Sequence, residues 1–453
     1  MMDLQWLTPE EDLLCLWQRL LDDGYDVQAL HEACLQAANA GEREQALRLM
    51  HALSEAGMRN DYAWQEPSDY EAIRALIKPA QKQTVTRSAQ QWHNHLKGAW
   101  AGKIAGCLLG KPVECMSRDD IVQIQKQTGN LPLHGYLSAP DLSQLHPQGS
   151  FVNMEMDRVS KACWFDTLRG FCPWDDDTNY TVLSLKLIQE YGVDFTPEDV
   201  LLCWLKWLPL ISTCTAERVA YRNAVNGMQP PKTARCLNPF SHMVGAQIRA
   251  DFFGYINPGD PLRAAELAWR DASISHTGNG IYGEMFVAAM TAAALTAPTP
   301  EDVVLAGLSV VPPKSRLAAD VNTILQRWRA GASWKDTVDY IHRRYDEHSF
   351  YDWCSVLPNA MIVTASLLYG ADDFARSICM AVESAFDTDS TAANVGSIVG
   401  LRIGFEAIPP YWYESFGQTL QTTMPGLSLV KLDELAEQTL ALLPEQERAS
   451  CAK

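Results

Sequence analysis

The chain reads as an all-α protein, a compact multi-helix domain with a small N-terminal helical appendage. Three observations predict this. Alanine- and leucine-rich segments repeat apolar residues at three- and four-residue spacing. Helix-start and helix-stop residues punctuate them. Alternation of β-branched residues almost never persists beyond four positions, so strand signals are rare. With 453 residues, 47% hydrophobic and 20% charged, the chain can bury a sizeable core.

Taking the elements in order, the first 57 residues predict three short helices, each closed by a glycine (Gly24, Gly41, Gly57). Thr8-Pro9-Glu10-Glu11 offers a hydroxyl cap, proline at the first helical position and glutamate three residues after the cap. Leu13, Trp17, Leu20 and Leu21 then share one face. Leu30, Ala33 and Ala37 line the second helix, and Ala46, Leu49 and Leu53 the third. Residues 58–92 read as a connector, with a helix start at Glu66-Pro67-Ser68-Asp69 and a polar boundary over 81–91. The expected division is therefore 1–90, appendage and connector, and 91–453, the main helical domain. Within the latter, helices are expected at 182–191, 261–272, 283–297, 360–369, 373–385 and 392–404, with a last amphipathic helix at 428–443. Two loops, 138–155 and 228–241, are candidates to frame a cleft.

Charge and cysteine usage narrow the function. Lys plus Arg number 37 against 55 Asp plus Glu, a net charge of −18. Such a chain repels a phosphate backbone, so no nucleic-acid partner is expected. No window of about 18 apolar residues appears, so no membrane span is expected either. Twelve cysteines without a CxxC pair, and an N-terminus without a basic-then-apolar leader, point to free thiols in a cytoplasmic protein.

Four segments carry chemistry. Trp174-Asp175-Asp176-Asp177-Thr178 precedes an apolar helical pattern. Carboxylates are favoured at a helix start by about 0.3–1 kcal/mol each, but capping needs one acceptor, not three consecutive like charges. Asp387-Thr388-Asp389-Ser390 also precedes a helical run. Neither cluster contains His or Cys, so the oxygen donors select Mg²⁺, Mn²⁺ or Ca²⁺ over zinc. The third segment, 98–114, places glycines at 98, 102, 106 and 110 along one ridge of a helix. Each costs up to about 1 kcal/mol relative to alanine, which predicts close packing as compensation. Its Lys111 precedes proline rather than Ser or Thr, so it is no Walker A loop. Glu114 lies just beyond this helix and, taken alone, reads as a surface acid. In the fourth segment, 273–284, His276 precedes Gly278, Asn279, Gly280 and Tyr282, a loop whose amides can approach a ligand.

In this order, GCLLGKPVE, DDDT and DTDST resemble the motifs of the ADP-ribosylglycohydrolase family, helical dimetal enzymes of the dinitrogenase reductase-activating glycohydrolase type. NPFSHMVGAQIRADFFGYINPG and SISHTGNGIYGEMF resemble a bacterial branch of it. The resemblance implies a fold of packed helices and a centre of two Mg²⁺ (Mn²⁺ possible) held by Asp175, Asp176, Asp177, Asp387, Asp389 and Ser390. It implies Glu114 as the catalytic acid/base, His276 beside the bound ADP-ribose, and Asn279 and Tyr282 as substrate contacts. Asp175 stands where the family has Thr or Ser, and Ser390 where Thr is common. Cys107 replaces an aspartate and is expected to be a helix-packing change, while Phe386 is expected to alter the pocket wall. The implied reaction cleaves an N- or O-glycosidic bond at the anomeric ribose carbon, with an ADP-ribosylated protein or a small ribosyl compound as partner. The alternatives are hydrolysis of a free nucleoside and non-catalytic binding of ADP-ribose.

Overall fold

A computed structural model describes residues 6–140, 163–444 and 447. Most of the first loop expected to frame a cleft lies outside these residues. Helices dominate. The only strands among the described residues are Thr419–Gln421 and Leu429–Lys431, an antiparallel pair with Leu420 opposite Val430. This shortens the expected last helix, which runs Leu432–Ala441. Val430 is buried between exposed Leu429 and Lys431, so that stretch follows the two-residue period of a strand.

The main body is built around one helix pair. Ala89–Gly110, opened by a capping box of Ser88 and Gln91, runs antiparallel to Thr388–Ile403. The glycine ridge explains how. A Cβ at Gly98 would run into the Gly400 carbonyl, one at Gly102 into the Gly396 carbonyl, and one at Gly106 into that of Ala392. Glycines at 396 and 400 reciprocate against the carbonyls of Gly102 and Gly98. Backbone therefore lies on backbone, and the dispersion gained offsets the helix-propensity cost of the glycines. The pairing has a positional consequence. Gly110, the last residue of one helix, is pressed against Thr388 and Asp389, the first residues of the other, and the Thr388 hydroxyl donates to the Gly110 carbonyl at 2.9 Å. Two motifs far apart in sequence thus meet at one end of one helix pair.

The remaining helices enclose this pair. Asp176–Tyr191, Pro261–Ala272, Asn279–Ala293, Val356–Gly370 and Phe374–Glu383 match five of the expected segments in place, three with earlier starts. Residues 9–54 form the three expected helices, Pro9–Asp22, His31–Ala40 and Arg43–Ser54, around a separate core that includes Leu13, Trp17, Leu20, Cys34, Leu49 and Leu53. Gly24 has φ of 84°, and a Cβ there would strike the Tyr62 ring of the connector, so glycine is required twice over. A charged clamp joins appendage, connector and body: Arg316 reaches Asp23 at 2.6 Å and Glu66 at 2.7 Å. The second expected loop is partly ordered as helix and packs on the appendage. It contains the short helix Lys232–Arg235, its Leu237 packs on the appendage core, and Arg222 binds its Leu237 carbonyl at 3.0 Å.

Candidate metal centre

Six carboxylates converge where the helix pair meets the start of Asp176–Tyr191. Asp175 is the N-cap residue of that helix, accepting the Asp177 amide at 3.0 Å. Capping therefore occupies one of the three consecutive acids and leaves two. Asp387 is the N-cap residue of Thr388–Ile403 but makes no side-chain capping bond. It follows Ala385 and Phe386, both in the left-handed region (φ 57° and 58°), a costly turn for residues with side chains. That turn brings Asp387 and Asp389 to face Glu114, with ligand oxygens of all three within 4.8 Å of one another. Asp175, Asp176 and Asp177 form a second such group. Ser390 ties the two together, donating to Asp177 at 3.2 Å.

The sequence-predicted acids and Ser390 are thus brought together; His276, Asn279 and Tyr282 are not part of the same cluster. His276 is buried with Nδ1 2.8 Å from the Ser275 hydroxyl and Nε2 3.9 Å from Glu217. Asn279 accepts the Leu317 amide at 3.1 Å, and the Tyr282 hydroxyl donates to the Pro67 carbonyl. The expected open glycine loop is covered by the connector, whose Ser68 hydroxyl accepts the Gly278 amide at 3.0 Å. Phe386 is also buried, its ring 4.9 Å from that of His342. Cys107 departs from expectation in the other direction. It faces the centre, with ligand atoms of Cys107, Asp175 and Asp389 mutually within 4.8 Å, because it precedes Gly110 by less than one turn of the helix.

Two lysines complete the site, and neither was assigned to it from sequence. Lys103 is fully buried, 2.8 Å from Asp251 and 3.6 Å from Asp177. Lys111 extends its ammonium to Glu114 at 2.6 Å, Asp175 at 2.7 Å and Asp389 at 3.3 Å. The signals existed: a lysine inside an apolar run must find a partner, and Lys111 precedes Glu114 by three residues.

Electrostatics follow from this geometry. Two carboxylate charges within 4.8 Å of each other repel by roughly 3 kcal/mol or more at an effective dielectric near 20. Burial, then the Asp175 charge, pushes Asp176 up to about 7. Burial drives Asp177 well above the carboxylate range despite Lys103, and burial with Asp389 does the same to Asp387. Burial and Asp389 outweigh Lys111 and hold Glu114 at about 8. For Asp175 the balance reverses: burial pushes it up, but Lys111 and the Asp177 amide bring it below its usual value.

The residues fit a hard cation. Oxygens of Asp177, Asp387 and Asp389 are buried without a hydrogen-bond partner, an expensive state for carboxylates. Oxygen donors in this number suit a divalent ion such as Mg²⁺ or Mn²⁺.

Comparison with known proteins agrees. No curated protein is similar enough in sequence to be matched. A solved structure described as an ADP-ribosylglycohydrolase-related protein complex is similar at 18% identity and a TM-score of 0.48, covering 80% of this chain and 99% of that one. Both figures are low, and the assignment comes from the family model for ADP-ribosylglycohydrolase, which matches residues 88–449. That span begins at the capping Ser88 of the glycine helix and includes all three acidic segments: the chain belongs to the ADP-ribosylglycohydrolase family.

Proposed function

We propose that the protein hydrolyses an N- or O-glycosidic bond at the anomeric ribose carbon, releasing ADP-ribose from an ADP-ribosylated target with the help of bound Mg²⁺ (or Mn²⁺). The observation that carries this reading is the convergence of six carboxylates, three of which (Asp177, Asp387 and Asp389) keep a buried oxygen without a hydrogen-bond partner. Asp175, Asp176, Asp177, Asp387, Asp389 and Ser390 supply the oxygens from which the cation would take its ligands. When bound, it would orient ribose hydroxyls and acidify a coordinated water.

The chain's own groups supply the rest. Glu114 is partly accessible, and burial beside Asp389 pushes its carboxyl up to about 8 in the cation-free site, which favours the protonated form that a general acid needs. Lys111 holds Glu114 by one oxygen and leaves the other free to face the substrate. An acidic protein can still bind an anionic diphosphate through loop amides, with the cation supplying positive charge.

A panel of ADP-ribosyl-arginine, ADP-ribosyl-serine and free ribosides, assayed with and without Mg²⁺, tests the reading. Metal-dependent release of ADP-ribose from one of the two conjugates is expected. Turnover of free ribosides alone would replace the substrate class, and calorimetric ADP-ribose binding without any turnover would make the protein a binder.

A further inference from the structure

The resemblance implies two metal ions. We infer that this chain holds one, and that the Lys111 ammonium takes the place of the other; the inference rests on the metal-assisted reading above. Lys111 reaches acids from all three acidic segments: Glu114 from its own, Asp175 from the second and Asp389 from the third, at 2.6, 2.7 and 3.3 Å. These are the oxygens that a cation shared between the clusters would need. Magnesium approaches its oxygen ligands to about 2.0–2.1 Å, so an ion bound between the same three oxygens would overlap the ammonium, which also repels it.

The lysine is held there by its backbone. It follows the last residue of Ala89–Gly110 directly, its amide donates to the Cys107 carbonyl, and Pro112 comes next. Gly110, its other neighbour, is locked against Thr388 and Asp389. Its side chain is only 14% exposed, so it lies within the centre and not over it. The ammonium leaves a defined remainder. Asp177 has the Lys103 ammonium at 3.6 Å, but Asp387 and Asp389 each keep an oxygen without a hydrogen-bond partner, with ligand oxygens of the two within 4.8 Å of each other. The single divalent ion falls to these.

Binding of Mn²⁺ to the full-length protein, counted by equilibrium dialysis and viewed by electron paramagnetic resonance, tests the inference without any activity assay. The wild type should take up one Mn²⁺ with a mononuclear spectrum. Lys111→Met, which keeps the length of the stem and removes the charge, should take up two and give a dinuclear spectrum; Lys111→Gln provides the same reading if the first variant folds poorly. Two ions in the wild type would overturn the role of Lys111 and leave the metal-assisted reading intact. One ion in both wild type and variant would also overturn it, since the lysine would then exclude nothing. No bound ion in the wild type would overturn the metal-assisted reading itself.

Discussion

Gly102 and Gly396 face each other across the central helix pair with no side chain between them, each occupying the space a Cβ on the other would need. Because the obstacle is a backbone carbonyl, it cannot rotate aside. Gly102→Ala should therefore destabilise the protein by about 3 kcal/mol or more, at the upper end of overpacking costs. Gly57→Ala, at a position with open space around it, should stay within about 0.5 kcal/mol. Urea unfolding of the two variants checks the contrast, and equal midpoints would refute it.

The same contact sets the register that brings Gly110 to Asp389, and this much was legible in the sequence. Glycines every four residues have few uses in a soluble helix other than close packing, and consecutive acids exceed what capping requires. For Lys111 only the spacing to Glu114 was legible, because its partners Asp175 and Asp389 are brought to it by tertiary packing. Cys107 was read as packing for the same reason. The loop with His276, Asn279 and Tyr282 has surroundings that the sequence did not announce. Its composition suits an exposed ligand loop, but the connector covers it, and nothing local in residues 58–88 announces that. The strand at Leu429–Lys431 is three residues long, too short for alternation to register.

Asp387 should be a costly residue in the absence of metal. Its carboxyl is buried, one oxygen has no partner, and Asp389 is close by. Asp387→Asn should raise the stability of the metal-free protein by about 1–3 kcal/mol, seen as a higher Tm in chelator. The stabilisation that saturating Mg²⁺ gives the wild type, about 2.7 kcal/mol at a hundredfold excess over Kd, should shrink in the variant. A lower Tm in chelator would count against the site as described.

Removing Arg316 should loosen the appendage. Arg316→Met leaves Asp23 and Glu66, both largely buried, without their shared cation, a loss of about 3–5 kcal/mol. Limited proteolysis should then cut within the connector at concentrations that spare the wild type. Adding Glu66→Gln should recover part of the loss, since its unpaired charge goes with it, whereas Asp23 keeps Arg19 at 3.0 Å. Unchanged protease resistance of Arg316→Met would show that the clamp does not hold the appendage.

Asp12 gives the appendage a pH signature. Burial pushes its carboxyl up to about 7, against an ordinary value of 3.8. The folded state therefore holds the proton more tightly than the unfolded chain, so this group's contribution falls as pH rises from about 4 to 7. Asp12→Asn removes the effect. The variant should match the wild type near pH 4 and exceed it by roughly 2–4 kcal/mol near pH 7, measured by urea unfolding at each pH. A difference that does not grow with pH would contradict the assignment.

The central claim is that the acidic clusters form one hydrolytic metal centre. Its most direct measurement is Mg²⁺-dependent release of ADP-ribose by the wild type and by Asp176→Ala/Asp389→Ala, which removes one acid from each cluster. The account predicts that release by the folded double variant falls to background, with or without Mg²⁺. Full activity in that variant would contradict it.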